Sequence, residues 1–216
     1  MKIQWIGHAS FLLTTSLGRK ILTDPFGNDI GYIPYDGDCD IITVSHNHFD
    51  HNCLDNLKKD TRLVNTEGRH SFNFCDITGY HSFHDESNGS ERGDNIIFVY
   101  DVDGFRICHL GDLGHELSSD FIEQLGHIDL LFIPVGGIFT IDGTKAAKIT
   151  KEINPSFVIP MHYSTPMLSF KLEGFEKFIM AMKNVNKTNS DTFFLEHKEN
   201  KVPEVILLTV NNHSKK

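Results

Sequence analysis

Residues 45–52 read Ser-His-Asn-His-Phe-Asp-His-Asn, and no other stretch constrains the chain as tightly. Four ligand-type side chains, His46, His48, Asp50 and His51, directly follow the short apolar run Ile41-Ile42-Thr43-Val44. Such a run reads as a strand buried on both faces. In extended chain, residues i and i+2 point to one side, so His46 and His48 can converge on one ion. If the chain then turns, Asp50 and His51 face a neighbouring ion. A polar loop with incidental histidines accounts poorly for this density of ligands.

The rest of the composition narrows the class. A chain of 216 residues builds one sizeable core, so a single domain over 1–216 is expected. Hydrophobic residues at 39% and charged residues at 23% make an ordinary globular mixture rather than a disordered one. A net charge of −9 disfavours broad binding to phosphate backbones, which needs clustered Lys and Arg. No apolar run approaches the roughly 20 residues of a membrane helix. The first residues enter a strand-like pattern with no leader-like segment. Cys39, Cys53, Cys75 and Cys108 form no C-x-x-C pair, so neither a disulfide scaffold nor a zinc knuckle is indicated. The expectation is a cytoplasmic protein that binds neither nucleic acid nor membrane, with homo-oligomerisation left open.

Short β-prone runs open the chain at 2–6, 10–15 and 20–23, and Asp24-Pro25 stops the third. Further strands are predicted at 41–44, 62–65, 71–80, 95–102, 105–109, 129–134, 157–161 and 205–210. Helices are predicted at 118–125, 144–153 and 170–185, with a short one at 54–59 at most. Asp142 and Asn154-Pro155 serve as start and stop of the second. Many strands with interspersed helices give an α/β or α+β layered domain.

The His-x-His-x-Asp-His string resembles the signature of the metallo-β-lactamase superfamily. Asp24-Pro25, Leu110-Gly111-Asp112 and Met161-His162-Tyr163 follow in that superfamily's order. Phe83-His84-Asp85, Glu91-Arg92-Gly93, Pro134-Val135-Gly136-Gly137 and the opening Trp5-Ile6-Gly7-His8-Ala9 are similar to one branch of it. That branch holds the L-ascorbate-6-phosphate lactonase-like proteins and uncharacterised bacterial metal-dependent hydrolases. The resemblance implies an α/β fold, a four-layer αβ/βα sandwich with two divalent metals at one edge of the sheets. It implies a first site of His46, His48 and His84, a second of Asp50, His51 and His162, and Asp112 bridging. His81 is the alternative third histidine; the branch pattern favours His84 and leaves His81 beside it.

Five imidazoles and two carboxylates without a thiolate suit borderline ions: zinc first, then manganese, iron or nickel. A water shared by two such ions becomes a nucleophile near neutral pH. The filled core is then formally cationic and attracts an anion despite the acidic protein around it. The expected enzyme is a metal-dependent hydrolase of a small anionic substrate, a phosphorylated lactone or phosphoester. The alternatives are a phosphodiesterase on nucleic acid or phospholipid headgroups, and a non-catalytic metal-binding regulator. Asp50, Asp112 and His8 are the catalytic candidates. His8 either contacts substrate or is a hydrogen-bonded strand-end histidine. Arg92 either binds an anionic substrate group or is a solvated arginine. Asp24 is expected to orient a ligand histidine, with a plain turn before proline as the alternative. His109 is expected to be buried and supportive. Gly136-Gly137 either admits a ligand to backbone amides or makes a tight turn.

Overall fold

The computed structural model describes residues 1–55, 58, 60–198 and 202–210. Among these residues, fourteen strands form two sheets. The six-stranded sheet has the order β13-β1-β2-β3-β4-β5. It uses β1 (Lys2–Gly7), β2 (Ser10–Thr14), β3 (Lys20–Thr23), β4 (Ile41–Thr43), β5 (Arg62–Val64) and β13 (Thr192–Phe194). The eight-stranded sheet has the order β12-β14-β11-β10-β9-β8-β7-β6. Its strands are β6 (Gly68–Ser71), β7 (Cys75–Phe83), β8 (Asp94–Val102), β9 (Phe105–His109), β10 (Leu130–Pro134), β11 (Phe157–Met161), β12 (Val185–Lys187) and β14 (Glu204–Leu207).

Period-two burial builds the layers. Strand β1 buries Ile3 and Trp5 while Lys2 and Gln4 stay partly exposed. Phe11, Leu13, Ile21 and Ile41 join Ile3 and Trp5 in the core between the sheets. Leu12, Leu22 and Ile42, one residue along, belong to a separate cluster with Val44. That second cluster is covered by Tyr35, Cys39 and Leu54 from loops rather than by a helix among the described residues. Across the inner core Phe11 stacks on Phe132 with ring centroids 4.1 Å apart, and Thr43 Oγ1 hydrogen-bonds Tyr100 Oη at 2.7 Å.

Among the described residues three α-helices, α1 (Ser119–Leu125), α2 (Gly143–Ile153) and α3 (Glu176–Ala181), lie with the eight-stranded sheet. Helix α2 begins where the Asp142 carboxylate accepts from the Thr144 and Lys145 amides, and ends at left-handed Asn154. Ala146, Ile149 and Ile153, at helical spacing, join the core beside β10. Among the described residues no helix is long and apolar enough to cross a membrane.

Two expectations need correction. The strand predicted at 71–80 is a hairpin, β6 and β7, in which the Phe72 amide donates to the Cys75 carbonyl and Phe72-Asn73-Phe74 makes the turn. The helix predicted at 170–185 shrinks to 176–181. Residues 164–175 instead form a docked loop, with Ser164 N donating to Glu173 O and Glu173 N to Gly136 O. Tertiary hydrogen bonds replace helical ones there, and β12 takes the far end. The short helix considered at 54–59 falls partly outside the described residues.

Candidate metal centre

Every residue of the cluster sits at or just beyond the C-terminal end of a strand, along one edge where the two sheets meet. His8 follows β1, Asp24 follows β3, and the 46–51 string follows β4. His84 follows β7, Asp112 comes shortly after β9, and His162 follows β11. Parallel neighbours aim their C-terminal ends the same way, and in open α/β sheets that edge is where ligands bind.

Getting side chains to turn inward there needs unusual backbone. His8 (φ 52°), Asp24 (φ 38°) and His162 (φ 52°) are all left-handed, and Gly111 (φ 56°) precedes Asp112. For non-glycine residues such conformations are costly and gather at functional sites. A Cβ at Gly111 would lie 2.2 Å from Asn95 Oδ1, so glycine is required for space as well.

Asp112 is the hub. Its Oδ2 lies 3.0 Å from His162 Nε2, 3.1 Å from His84 Nε2, 3.3 Å from His51 Nε2 and 3.8 Å from His46 Nε2. Burial would raise its pKa, but His162 and His51 hold the carboxyl well below the usual range. Ligand atoms converge in three overlapping groups: His8, Asp50, His51 and His162; His46, His48 and His84; and His46, His51 and Asp112. His84 is thus inside the cluster. His81 lies outside it, exposed and paired with Glu67 at 3.3 Å and Asp94 at 3.8 Å.

The hydrogen bonds fix which ring nitrogen is free. Asp24 accepts from the Ser45 amide (2.7 Å), the Ser45 hydroxyl (2.6 Å) and His51 Nδ1 (3.0 Å). Because the Ser45 proton goes to Asp24, His46 Nδ1–H must donate to Ser45 Oγ at 2.9 Å. Both rings therefore hold a proton at Nδ1 and direct Nε2 at Asp112, and both Nε2 atoms are buried without a hydrogen-bond partner. Buried ring nitrogens facing a buried carboxylate need a cation between them, a proton or a metal ion. Burial disfavours charge on His51, yet Asp112 and Asp24 keep its pKa well above the ordinary value. Burial instead lowers His46 to about 3, leaving it neutral and ready to coordinate. Asp112 Oδ1 and one nitrogen each of His8, His84 and His162 are further buried orphans. The residues present fit divalent metal ions.

Supporting groups complete the edge. His8 is fully buried and donates from Nε2 to Asp50 Oδ2 at 3.1 Å. Burial, then His162, lowers its pKa to about 4. His109 donates to the Ala9 carbonyl (2.9 Å) and accepts from the Gly111 amide (3.1 Å), which ties the sheets together away from the ligand atoms. Asn95 accepts from the Asp112 amide at 2.9 Å and donates to the Leu110 carbonyl at 3.0 Å. Ser45 and Asn95 are absent from the sequence-level site; a polar residue in the apolar strand run 95–99 was the available signal for the second. Arg92 is half-buried at the cleft, its guanidinium 5.7 Å from the Phe139 ring centre. Gly136 pairs with Asp142 in an antiparallel bridge and packs so closely on the His162 carbonyl that a Cβ would lie 2.1 Å from it; the tight turn begins at Gly137.

A sequence profile described as Beta-lactamase superfamily domain matches residues 2–162. This chain belongs to the metallo-β-lactamase superfamily. Among similar members, a metal-dependent hydrolase of Archaeoglobus fulgidus is 31% identical, over 84% of this chain and 91% of that protein. One of Natranaerobius thermophilus is 30% identical, over 91% of this chain and 96% of that protein. A Thermotoga maritima structure assigned as a Zn-dependent hydrolase of the metallo-β-lactamase superfamily is 34% identical with a TM-score of 0.79, covering 96% and 97% of the two chains. The sandwich expected from the sequence is the fold of these metallo-β-lactamase relatives, and a metal-dependent hydrolase is the activity class they support.

Proposed function

We propose that this superfamily member is a dinuclear hydrolase of small anionic substrates, a phosphoester or phosphorylated lactone. The observation that carries the reading is the convergence of four imidazoles on one buried Asp112 oxygen, with unpaired nitrogens facing carboxylates. His46, His48 and His84 would hold one ion, Asp50, His51 and His162 the other, and Asp112 both. Two such ions, when bound, supply a water acidic enough to ionise near neutral pH and a polarised substrate oxygen.

The chain's own residues do the rest. Asp24 holds the proton of His51 at Nδ1, and Ser45 holds that of His46, so each ring presents Nε2. His8 holds a proton at Nε2 and uses it to fix the Asp50 carboxylate. Arg92 stands at the rim, where a guanidinium can take an anionic group of the substrate. With a net charge of −9 over the whole chain, a long polyanion meets repulsion where a compact anion does not.

The test is turnover by protein reconstituted with zinc or manganese on small phosphomonoesters, phosphorylated lactones and chromogenic phosphodiesters, beside a cephalosporin and a structured RNA. Hydrolysis within the small anionic panel, lost on chelation, is expected. Efficient RNA cleavage with a steep salt dependence, and none of the small panel, would overturn the reading.

A further inference from the structure

The cleft over the cluster has walls that a fully polar substrate would not use. It encloses about 410 Å³. The cluster forms its floor, Arg92 one side, and Phe49, Phe139 and Phe170 much of the remainder. Phe49 projects from the ligand string itself and is 66% exposed. Its ring centre lies 6.4 Å from that of Phe170, which in turn meets His8 edge-on at 5.6 Å. Phe170 is anchored from behind on the cluster of Phe26, Ile30 and Tyr32.

The opposite wall is built at a conformational cost. Gly137 (φ 54°) and Ile138 (φ 59°) are consecutive left-handed residues, and the Phe139 amide closes the turn on the Gly137 carbonyl at 2.6 Å. A β-branched residue is rarely found there. Of the other non-glycine residues with positive φ, Asn88, Asp103 and Asn154 are of the types that tolerate it, while His8, Asp24 and His162 shape the metal cluster. Ile138 is 50% exposed, so core packing does not explain its strain; the turn it makes sets Phe139 against Arg92. The backbone under Arg92 is positioned as firmly. The buried Asp85 carboxylate, next to His84, accepts four amides, those of Ser87, Gly89, Glu91 and Arg92, at 2.7–3.0 Å.

Exposed aromatic rings collected around a polar floor mark a binding surface. Resting on the hydrolase reading above, we propose that Phe49, Phe139 and Phe170 determine specificity: they seat an aryl or alkyl arm of the substrate while Arg92 takes its anionic group. The substrate class is a small anion with an apolar arm, in preference to a sugar derivative hydroxylated on every face.

Phenylphosphonate and methylphosphonate share an anionic head and differ in the arm, so their affinities for the metal-loaded protein isolate it. Calorimetric titration should give phenylphosphonate at least about tenfold tighter, the effect of burying one ring. Phe139→Ala and Phe49→Ala should each cut that ratio several-fold, and Arg92→Met should weaken both ligands while keeping the ratio. A wild-type ratio below about two, or binding of neither phosphonate at millimolar concentration, overturns the proposal without any variant. A ratio that survives the Phe49→Ala, Phe139→Ala double substitution in a folded protein also overturns it. Turnover on the small anionic panel is read separately. A flat ratio with intact turnover removes the apolar seat and leaves the hydrolase. An intact ratio with a silent panel supports the seat and removes the hydrolase reading.

Discussion

Asp24 Oδ2 accepts the Nδ1 proton of His51 at 3.0 Å, and this one contact fixes which nitrogen of the ring can reach a metal. The same carboxylate orders His46 through Ser45, so one side chain outside the ligand set governs one ring from each proposed site. Partners of this kind are commonly worth 10–100-fold in metal affinity. Asp24→Asn cannot accept all three donors, and zinc affinity, measured by competition with a chromogenic chelator, should fall by about that factor. Affinity equal to wild type in a folded Asp24→Asn protein would show that the ring orientations are set elsewhere.

Asp112 touches both halves of the cluster, so Asp112→Ala should lower occupancy at both sites in elemental analysis. His84→Ala should remove up to one ion. His81→Ala should remove none, because His81 is exposed and pairs with Glu67 and Asp94. Full loading of Asp112→Ala would sink the bridging assignment, and loss of metal from His81→Ala would sink the choice of His84.

Much of this arrangement was legible in the sequence because local and tertiary signals agreed. The 46–51 string carries its geometry in its spacing, and Asp142 and Asn154 cap α2 by short-range chemistry alone. What the sequence hid depends on contacts distant along the chain. The periodicity of 170–185 favours a helix, but the 164–175 segment instead makes backbone hydrogen bonds to Gly136, to Ile30 and within itself. The apolar walls of the cleft were equally hidden, since Phe49, Phe139 and Phe170 become neighbours only at the meeting edge of the sheets. Isolated phenylalanines in a sequence read as core.

The thiols report on packing. Burial, with Asp76 adding to it for Cys75, pushes both Cys75 and Cys108 up to about 12. Native protein at pH 8 should therefore react with iodoacetamide at the half-buried Cys39 and Cys53 only, read by mass spectrometry. The linkage follows from the raised folded values. The folded state keeps these protons longer than the unfolded chain, whose thiols titrate near about 8.5. Their contribution is complete below that pH and is lost as pH climbs towards 12, so the urea midpoint should decline from about pH 9 upward. Rapid labelling of Cys108 in folded protein would contradict its burial.

Gly111 offers the sharpest link between backbone and site. It is left-handed at φ 56°, and a Cβ there would stand 2.2 Å from Asn95 Oδ1 and 2.7 Å from Ser45 Cβ. Those two residues brace the Asp112 amide and the His46 ring respectively. Gly111→Ala must therefore strain the backbone and push on both supports, a cost on the order of 2–4 kcal/mol. The melting temperature should drop by several degrees. Metal should be lost at both sites together, because the displaced segment carries the shared carboxylate. Gly104→Ala is the control: its φ is also positive at 82°, but the added methyl meets only His197 Nε2, at 3.7 Å. It should cost stability without metal. Equal metal loss from the two variants would mean that general destabilisation, rather than displacement of Asp112, empties the site.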